Sequence, residues 1–268
     1  MLGVLRASAG GVGVRSVSVS IVSYNSADEI GAVLDSVLAN THGVSLSVYV
    51  SDNASTDGTA AFVKERYPQV TVIESDVNDG FGAAHNRVIE RLESEYHVIL
   101  NPDIEFKTDV ISSLCAYLEE HSEAVLATPL ILNSDGSPQA VPRVLPKRRY
   151  MFAGQLERFG GVFRRWRDAY TRRNETFDRP TPIEFCTGCF MMVRTEALKD
   201  EGGFDDRFFM YMEDADLSRR LRAHGTLMLV PQVTVTHRWE RASGKSGKFL
   251  KIHLQSMRYY FKKWRNAT

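Results

Sequence analysis

The sequence has no run of about 18 consecutive apolar residues, which leaves no candidate for a membrane-crossing helix. Cysteine is scarce. Cys115, Cys186 and Cys189 are too few for a disulfide framework, and free thiols fit a reducing cytoplasm. Met1 to Ser16 lacks a compact apolar core and a convincing cleavage site, so residues 1–16 are expected to be a flexible tail rather than a signal peptide. No internal repeat or long low-complexity tract is present. Net charge is also missing, since 33 basic side chains meet 33 acidic ones, but the two signs are segregated. Arg143 to Arg179 holds eleven Lys/Arg against four Asp/Glu, and Lys245 to Thr268 holds seven with no carboxylate. Two basic segments on an acidic body suggest contact with something anionic: phosphates, a membrane surface or nucleic acid.

The chain does have enough apolar content for a large core. Its 268 residues are 43% hydrophobic and 25% charged, as in one large soluble domain or two small ones. Val17–Ser23, Leu46–Ser51, Val70–Ile73 and Tyr96–Leu100 read as strands. Between them, Ile30, Val33, Leu34, Val37 and Leu38 fall at helical spacing, a polar turn at 52–58 caps a helix to about Arg66, and Ala83–Leu92 reads as a third helix. This alternation predicts an α/β fold with a parallel sheet, helices on both faces, and the strand-end loops on one edge. Further on, Asp109–His121 reads as a helix and Ala124–Leu132 contains a strand. Phe185–Arg194 is expected to be a strand-pair element around Gly188. Asp214–His224 reads as a helix stopped by Gly225, and Val233–Thr236 as a strand ending at His237. Ser137–Pro182 has no clear pattern.

Chemistry concentrates at the strand ends. Asn101-Pro102-Asp103 follows an apolar strand that Pro102 must end, and places a carboxylate where open α/β sheets keep their ligands. Asp52 also follows a strand. It can accept the imide N–H of uracil or thymine or a ribose hydroxyl, although a run of Asx, Ser and Thr also serves as a helix cap; Thr56 and Asp57 are expected to do only that. Gly80-Phe81-Gly82 opens a helix whose free N–H groups would suit a diphosphate. It is neither a Walker loop nor a dinucleotide fingerprint. Glu213, Asp214 and Asp216 crowd one helix start beside aromatic residues. The helix dipole accounts for one or two of them, and a partly desolvated one can act as a general base. Cys186-Thr187-Gly188-Cys189 reads as packing at a tight glycine turn rather than a redox or zinc site. His237 is either structural or, with Asp103, part of a divalent metal site.

As an ordered set, these motifs resemble the inverting family 2 glycosyltransferases of GT-A fold. The resemblance runs from about Val17 to Ser243. It is carried by Ile21-Val22-Ser23-Tyr24-Asn25, the 52–58 turn, Gly80-Phe81-Gly82 with Asn86, Asn101-Pro102-Asp103, Gly203-Phe204-Asp205 and Glu213-Asp214-Ala215-Asp216-Leu217. Within that family the chain looks most like bacterial rhamnosyltransferases of cell-surface polysaccharide synthesis. The resemblance implies one GT-A domain over residues 17–244, with a Rossmann-like, mostly parallel central sheet. Its nucleotide-sugar half would be 17–110 and its acceptor half 111–244, followed by a basic amphipathic helix over 245–268. It further implies that Val22, Tyr24, Asn25, Asp52, Gly80, Gly82, Asn86, Asn101 and Asp103 hold the nucleotide sugar. Asp103, helped by His237, would bind Mg²⁺ or Mn²⁺, with Asn101 standing where many relatives carry an aspartate. Asp214 would be the general base, with Glu213 as the substitute. The implied donor is dTDP-rhamnose, and the implied acceptor is a saccharide on a polyprenyl diphosphate.

The rival readings are a transferase using another donor such as a UDP-sugar, a nucleotidyltransferase, and a non-catalytic nucleotide- or glycan-binding module. The first strand lacks the Gly-rich basic loop that a nucleotidyltransferase usually wants. Carboxylates at the strand ends oppose nucleic acid in the cleft. Leu250, Leu254, Met257, Phe261 and Trp264 form one stripe of a C-terminal helix, with Lys248, Lys251, Arg258, Lys262 and Arg265 beside or opposite it. Such a helix either lies on an anionic membrane or packs on the core with a solvated basic face. The expected location is cytoplasmic, peripheral on the inner face of the cell membrane.

Overall fold

A computed structural model describes residues 13–139, 143–238 and 247–266. Residues 1–12, most of the expected tail, and 239–246, where the expected domain boundary falls, lie outside the described residues. A nine-stranded sheet organises the chain. The parallel strands β1 (Ser16–Ser23), β2 (Ser45–Asn53), β3 (Thr71–Ser75) and β4 (Tyr96–Leu100) lie in the order β3-β2-β1-β4. The sheet continues from β4 through β8 (Phe190–Arg194), β6 (Ala124–Leu132) and β9 (Thr226–His237) to the two-residue β5 (Ile104–Glu105). β6 and β9 are parallel, whereas β8 runs antiparallel to both β4 and β6, and β7 (Thr181–Ile183) pairs antiparallel with β9.

Strand alternation sorts the core into two layers. Val17, Val19 and Ile21 of β1 and Tyr96, Val98 and Leu100 of β4 face α1 (Ile30–Ala39), α2 (Thr59–Arg66) and α4 (Val110–Glu120). Asp109 starts α4 by accepting the Ser112 N–H at 3.1 Å. The opposite face packs on α3 (Phe81–Ile89), α7 (Thr195–Asp200) and α8 (Glu213–Leu221), through Val88, Ile89, Leu198, Leu217 and Leu221. Each fully buried aliphatic side chain contributes about 1.5–3 kcal/mol. On this second face Ser18 and Ser20 of β1 and His97 of β4 are polar, beside the apolar Ile99. Ser18 Oγ and Ser20 Oγ lie 2.7 and 2.8 Å from the two ring nitrogens of His97, and Ser20 Oγ lies 2.7 Å from His85 Nδ1. Complete burial lowers the His97 pKa to about 3 and holds His85 well below the ordinary value, so both rings are neutral.

Two expectations need correction. Phe185–Arg194 is not a strand pair: only β8 forms, β7 joins β9 instead, and Phe185 bridges to Arg143. The strand read at Val233–Thr236 is the end of a twelve-residue β9. Pro231 disguised its first part. The register with β6 shifts there, from Pro129–Val230 to Leu130–Thr234, which accommodates a proline within a strand. The unpatterned 137–182 segment contains α5 (Arg148–Leu156), a short 3₁₀ turn at Glu157–Phe159 and α6 (Gly161–Thr171).

Candidate active site

The parallel register sets the strand ends side by side. Ser23 pairs with Asp52, and Ile21 with Leu100, so Asn101-Pro102-Asp103 emerges beside the end of β1. Asp52 is buried. One of its oxygens accepts from Ser23 Oγ at 2.8 Å and the other from the Ser55 N–H at 3.0 Å. It therefore caps its turn, and each oxygen retains a further lone pair for a ligand donor. Asn25, in left-handed backbone at φ 51°, ties the β1 turn to this one. Its N–H donates to Ser55 Oγ and its Oδ1 accepts the Thr56 N–H at 2.8 Å. Asp57 accepts from Thr59 and from the Ala27 N–H, a capping role as expected. Val22 is nearly buried, and the Tyr24 ring stands 53% exposed at the mouth of the turn, free to cover a planar ligand.

The 78–86 segment differs from its expectation as a diphosphate cradle. The Phe81 N–H donates to Phe209 O at 3.0 Å, and the Gly80 N–H to Asn78 Oδ1 at 3.2 Å, so these donors are already used. Gly80 sits at φ 100°, and a Cβ there would lie 2.0 Å from Phe209 O; one at Gly82 would lie 2.8 Å from Phe204 Cβ. These glycines permit close packing. Asn86 does likewise: its Nδ2 donates to Phe204 O and Asp206 Oδ1 while its Oδ1 accepts the Phe204 N–H. All its donors are committed to the 204–206 loop, which leaves it none for a nucleotide.

One loop connects the remaining groups. The Asn101 N–H donates to Cys189 O at 3.0 Å, and the Gly188 N–H donates to Asp214 Oδ2 at 3.2 Å. Two successive residues thus hold the Asn101-Pro102-Asp103 turn and Asp214. Glycine suits 188, where a Cβ would come 3.1 Å from the Phe81 ring and press on it. The flanking thiols are buried and free, and desolvation pushes Cys189 up to about 11 and Cys186 well above the ordinary value, so both remain protonated packing groups.

His237, at the end of β9, places Nε2 3.1 Å from Asp103 Oδ2. Its Nδ1 lies 3.1 Å from Gln139 Oε1, a contact that orients the ring. Asp103 Oδ1 is buried with no hydrogen-bond partner among the described residues. A carboxylate oxygen and an imidazole nitrogen so placed fit a divalent cation. No cluster of three or more His, Cys, Asp or Glu among the described residues could hold one alone, so a bound cation would take its other ligands from substrate and water.

At the start of α8, Tyr211 and Met212 both adopt φ 71°, a conformation that costs non-glycine residues of the order of 1–3 kcal/mol each. This kink turns Glu213 and Asp214 inward. Glu213 is buried, its Oε2 has no partner among the described residues, and desolvation together with the neighbouring Asp214 raises its pKa to about 8. Asp214 is raised by desolvation, and is held back by the Gly188 and Ala215 N–H groups and the charge of Arg143. Unlike Glu213, it keeps a partly exposed side chain. Asp216 faces elsewhere: it is fully buried and accepts from Arg220, Lys263 and Trp264.

Sequence reasoning named neither Arg143 nor Lys263 individually. Arg143 was one of eleven cations in a segment without readable periodicity, and only the fold brings it near Asp214. The C-terminal helix α9 (Gly247–Lys263) is packed on the body through Ser256 and Tyr260, with Lys263 and the following Trp264 beyond them. That face is rotated from the expected stripe, which leaves Leu250 and Leu254 about half exposed beside Lys251 and Arg258. No helix among the described residues is long and apolar enough to cross a membrane.

Comparison with known proteins identifies the family and the fold. The profile of Glycosyl transferase family 2 matches residues 18–202. An N-acetylglucosaminyl-diphospho-decaprenol L-rhamnosyltransferase of Mycobacterium tuberculosis is 33% identical over 216 residues, 75% of this chain and 69% of that protein. Rhamnosyltransferase WbbL of Escherichia coli is 27% identical, covering 82% of this chain and 83% of that one. Among solved structures, GalNAc-T7 with UDP, GalNAc and Mn²⁺ superposes with a TM-score of 0.66 at 15% identity, covering 96% of this chain and 52% of that one. A Pyrobaculum calidifontis mannosyltransferase with GDP-Man and Mn²⁺ gives 0.62 at 19% identity, covering 96% and 66%. The chain spans about half the length of the first structure and about two thirds of the second. These structural likenesses establish the GT-A fold. The family profile over most of the sequence and the 33% identical relative show that the chain belongs to the family 2 glycosyltransferases.

Proposed function

We propose that this enzyme transfers L-rhamnose from dTDP-rhamnose, with inversion, to a saccharide carried on a polyprenyl diphosphate. The observation that supports this reading best is the 188–189 loop, which holds Asp214 on one residue and the Asn101-Pro102-Asp103 turn on the next. A base and a leaving-group site are thereby mounted on one support. Val22, Tyr24 and Asp52 form the nucleoside end, and Asp103 with His237 the diphosphate end.

Asp214 takes the proton of an acceptor hydroxyl as that oxygen attacks the anomeric carbon. The bond from that carbon to the diphosphate oxygen breaks, and its electron pair leaves with the nucleoside diphosphate. A divalent cation at Asp103 and His237 would supply charge neutralisation for that leaving group. Desolvation raises both carboxyl groups of the Glu213–Asp214 pair, so the two titrate as one unit with a raised affinity for a proton. A membrane-borne acceptor fits the basic segments and the exposed Leu250, Leu254, Lys251 and Arg258 face of α9, and with it a peripheral position on the inner face of the cell membrane.

The test is a panel of dTDP- and UDP-sugars offered with a polyprenyl-diphosphate N-acetylglucosamine acceptor, with and without Mn²⁺. Transfer of rhamnose alone, with inverted anomeric configuration and a metal response lost in Asp103→Ala, is the expected result. Preferential transfer from a UDP-sugar would move the donor assignment, and release of pyrophosphate would overturn the reaction class.

A further inference from the structure

Besides packing near Leu145, Phe185 and Arg148, the C-terminal helix makes a set of polar contacts around residues 205–216. Ser256 Oγ donates to Met210 O at 2.7 Å. The His253 ring lies 4.9 Å from that of Tyr211. Lys263 Nζ bridges Asp205 Oδ2 and Asp216, at 2.7 and 2.8 Å, and Trp264 Nε1 donates to Asp216 Oδ1 at 2.8 Å. Tyr259 adds a hydrogen bond to Asp205 at 3.0 Å. Tyr260, wholly buried, packs in a small core with Phe208, Met212 and Ala215.

These contacts bracket the two residues of positive φ that aim Glu213 and Asp214. One set grips the backbone just before Tyr211, and the other grips the first turn of α8 just after Asp214. A left-handed pair of non-glycine residues relaxes unless the surrounding structure holds it. On the other side, Phe209 O is held by the Phe81 N–H, so the turn is clamped between α3 and α9.

We propose that α9 is the brace of the general base, with Ser256, Lys263 and Trp264 as positioning residues that keep the 210–216 turn in its strained conformation. The proposal rests on the reading of Asp214 as the base. Lys263 touches none of the reacting atoms. It neutralises two carboxylates, Asp205 and Asp216, whose motifs flank the turn in sequence. A misplacement of the order of 1 Å at a reacting group costs roughly 10²-fold in rate. Loss of the brace therefore lowers turnover while the distant nucleoside end still binds donor.

The experiment compares wild type, Lys263→Met, Lys263→Arg and Ser256→Ala by amide hydrogen exchange and by kinetics with dTDP-rhamnose. Lys263→Met is expected to raise exchange at 210–216 about tenfold or more with β1–β4 unchanged, and to lower kcat about 10- to 100-fold with donor KM within about twofold. Lys263→Arg is expected to restore most of both. Unchanged exchange at 210–216, or a uniform rise across the sheet, overturns the brace. If Lys263→Met does not fold, Ser256→Ala decides: a local rise at 210–216 supports the brace, and its absence overturns it. Asp214→Asn measured alongside separates the two readings. A dead Asp214→Asn with a normal Lys263→Met removes the brace alone, whereas a normal Asp214→Asn removes the base and the brace with it.

Discussion

The two ends of the site treat their polar groups in opposite ways. At the nucleoside end, Asp52, Asn25 and Asn86 are engaged by neighbouring serines, threonines and backbone, and the Gly80 and Phe81 N–H groups at the start of α3 are already used. At the transfer end, one oxygen each of Asp103 and Glu213 is buried without a partner among the described residues, and the backbone before Glu213 is strained. An unsatisfied buried polar atom costs about 1–3 kcal/mol. At the transfer end that cost falls on the carboxylates themselves, whereas at the nucleoside end it falls on the supports, Ser51 Oγ and the left-handed Asn25 and Ala54, and not on Asp52. The carboxylates proposed for the transfer keep an unsatisfied oxygen, whereas Asp52 is held in shape by its neighbours.

The contrast can be broken most sharply at Asp214. Asp214→Asn is expected to lower kcat by roughly 10²- to 10⁴-fold while calorimetric donor affinity stays near wild type. A comparable loss of affinity would mean that the two ends are not separable. Next in size is Asn86→Ala, which removes three hydrogen bonds to the 204–206 loop. We expect about 1–3 kcal/mol of lost stability by urea denaturation, with donor affinity unchanged; a stable variant that binds donor poorly would return Asn86 to the ligand.

A pH dependence tests the transfer end against the buried core. Glu213 is raised to about 8 from an ordinary 4.5, so the folded state holds its proton more tightly, and its contribution to stability declines as pH rises across that window. His97 is lowered to about 3 from 6.5, so its contribution declines as pH falls through that range. The melting temperature of Glu213→Gln should therefore gain on wild type between pH 5 and 8. A constant difference would mean that Glu213 is not the group titrating.

Much of this molecule is legible in its sequence, and the illegible parts share a cause. β4 is found at the bounds read from its apolar run, β6 within the span read as containing a strand, and α1 through α4 within a few residues. Those elements bury a whole face, so local pattern and tertiary fate coincide. Asp103 and His237, 134 positions apart, were paired by their chemistry, and the fold sets them 3.1 Å apart. What periodicity cannot report is how a residue is employed. Asn86 and Gly80 occupy a motif associated with nucleotide binding, yet here they serve loop docking and close approach. Ser256 and Lys263 carry no pattern because their partners lie some 46 and 58 residues away.

The 186–189 loop also has a consequence in length. The proposed base and leaving-group site hang from adjacent peptide units, so their separation is a property of chain spacing as much as of side-chain identity. One inserted residue would part them by up to about 3.8 Å. Reacting atoms must approach within roughly 3–3.5 Å, so that single step exceeds the whole tolerance of the reaction. Cys186 to Cys189 thus acts as a gauge whose residue count, unlike most surface loops, is not free to drift.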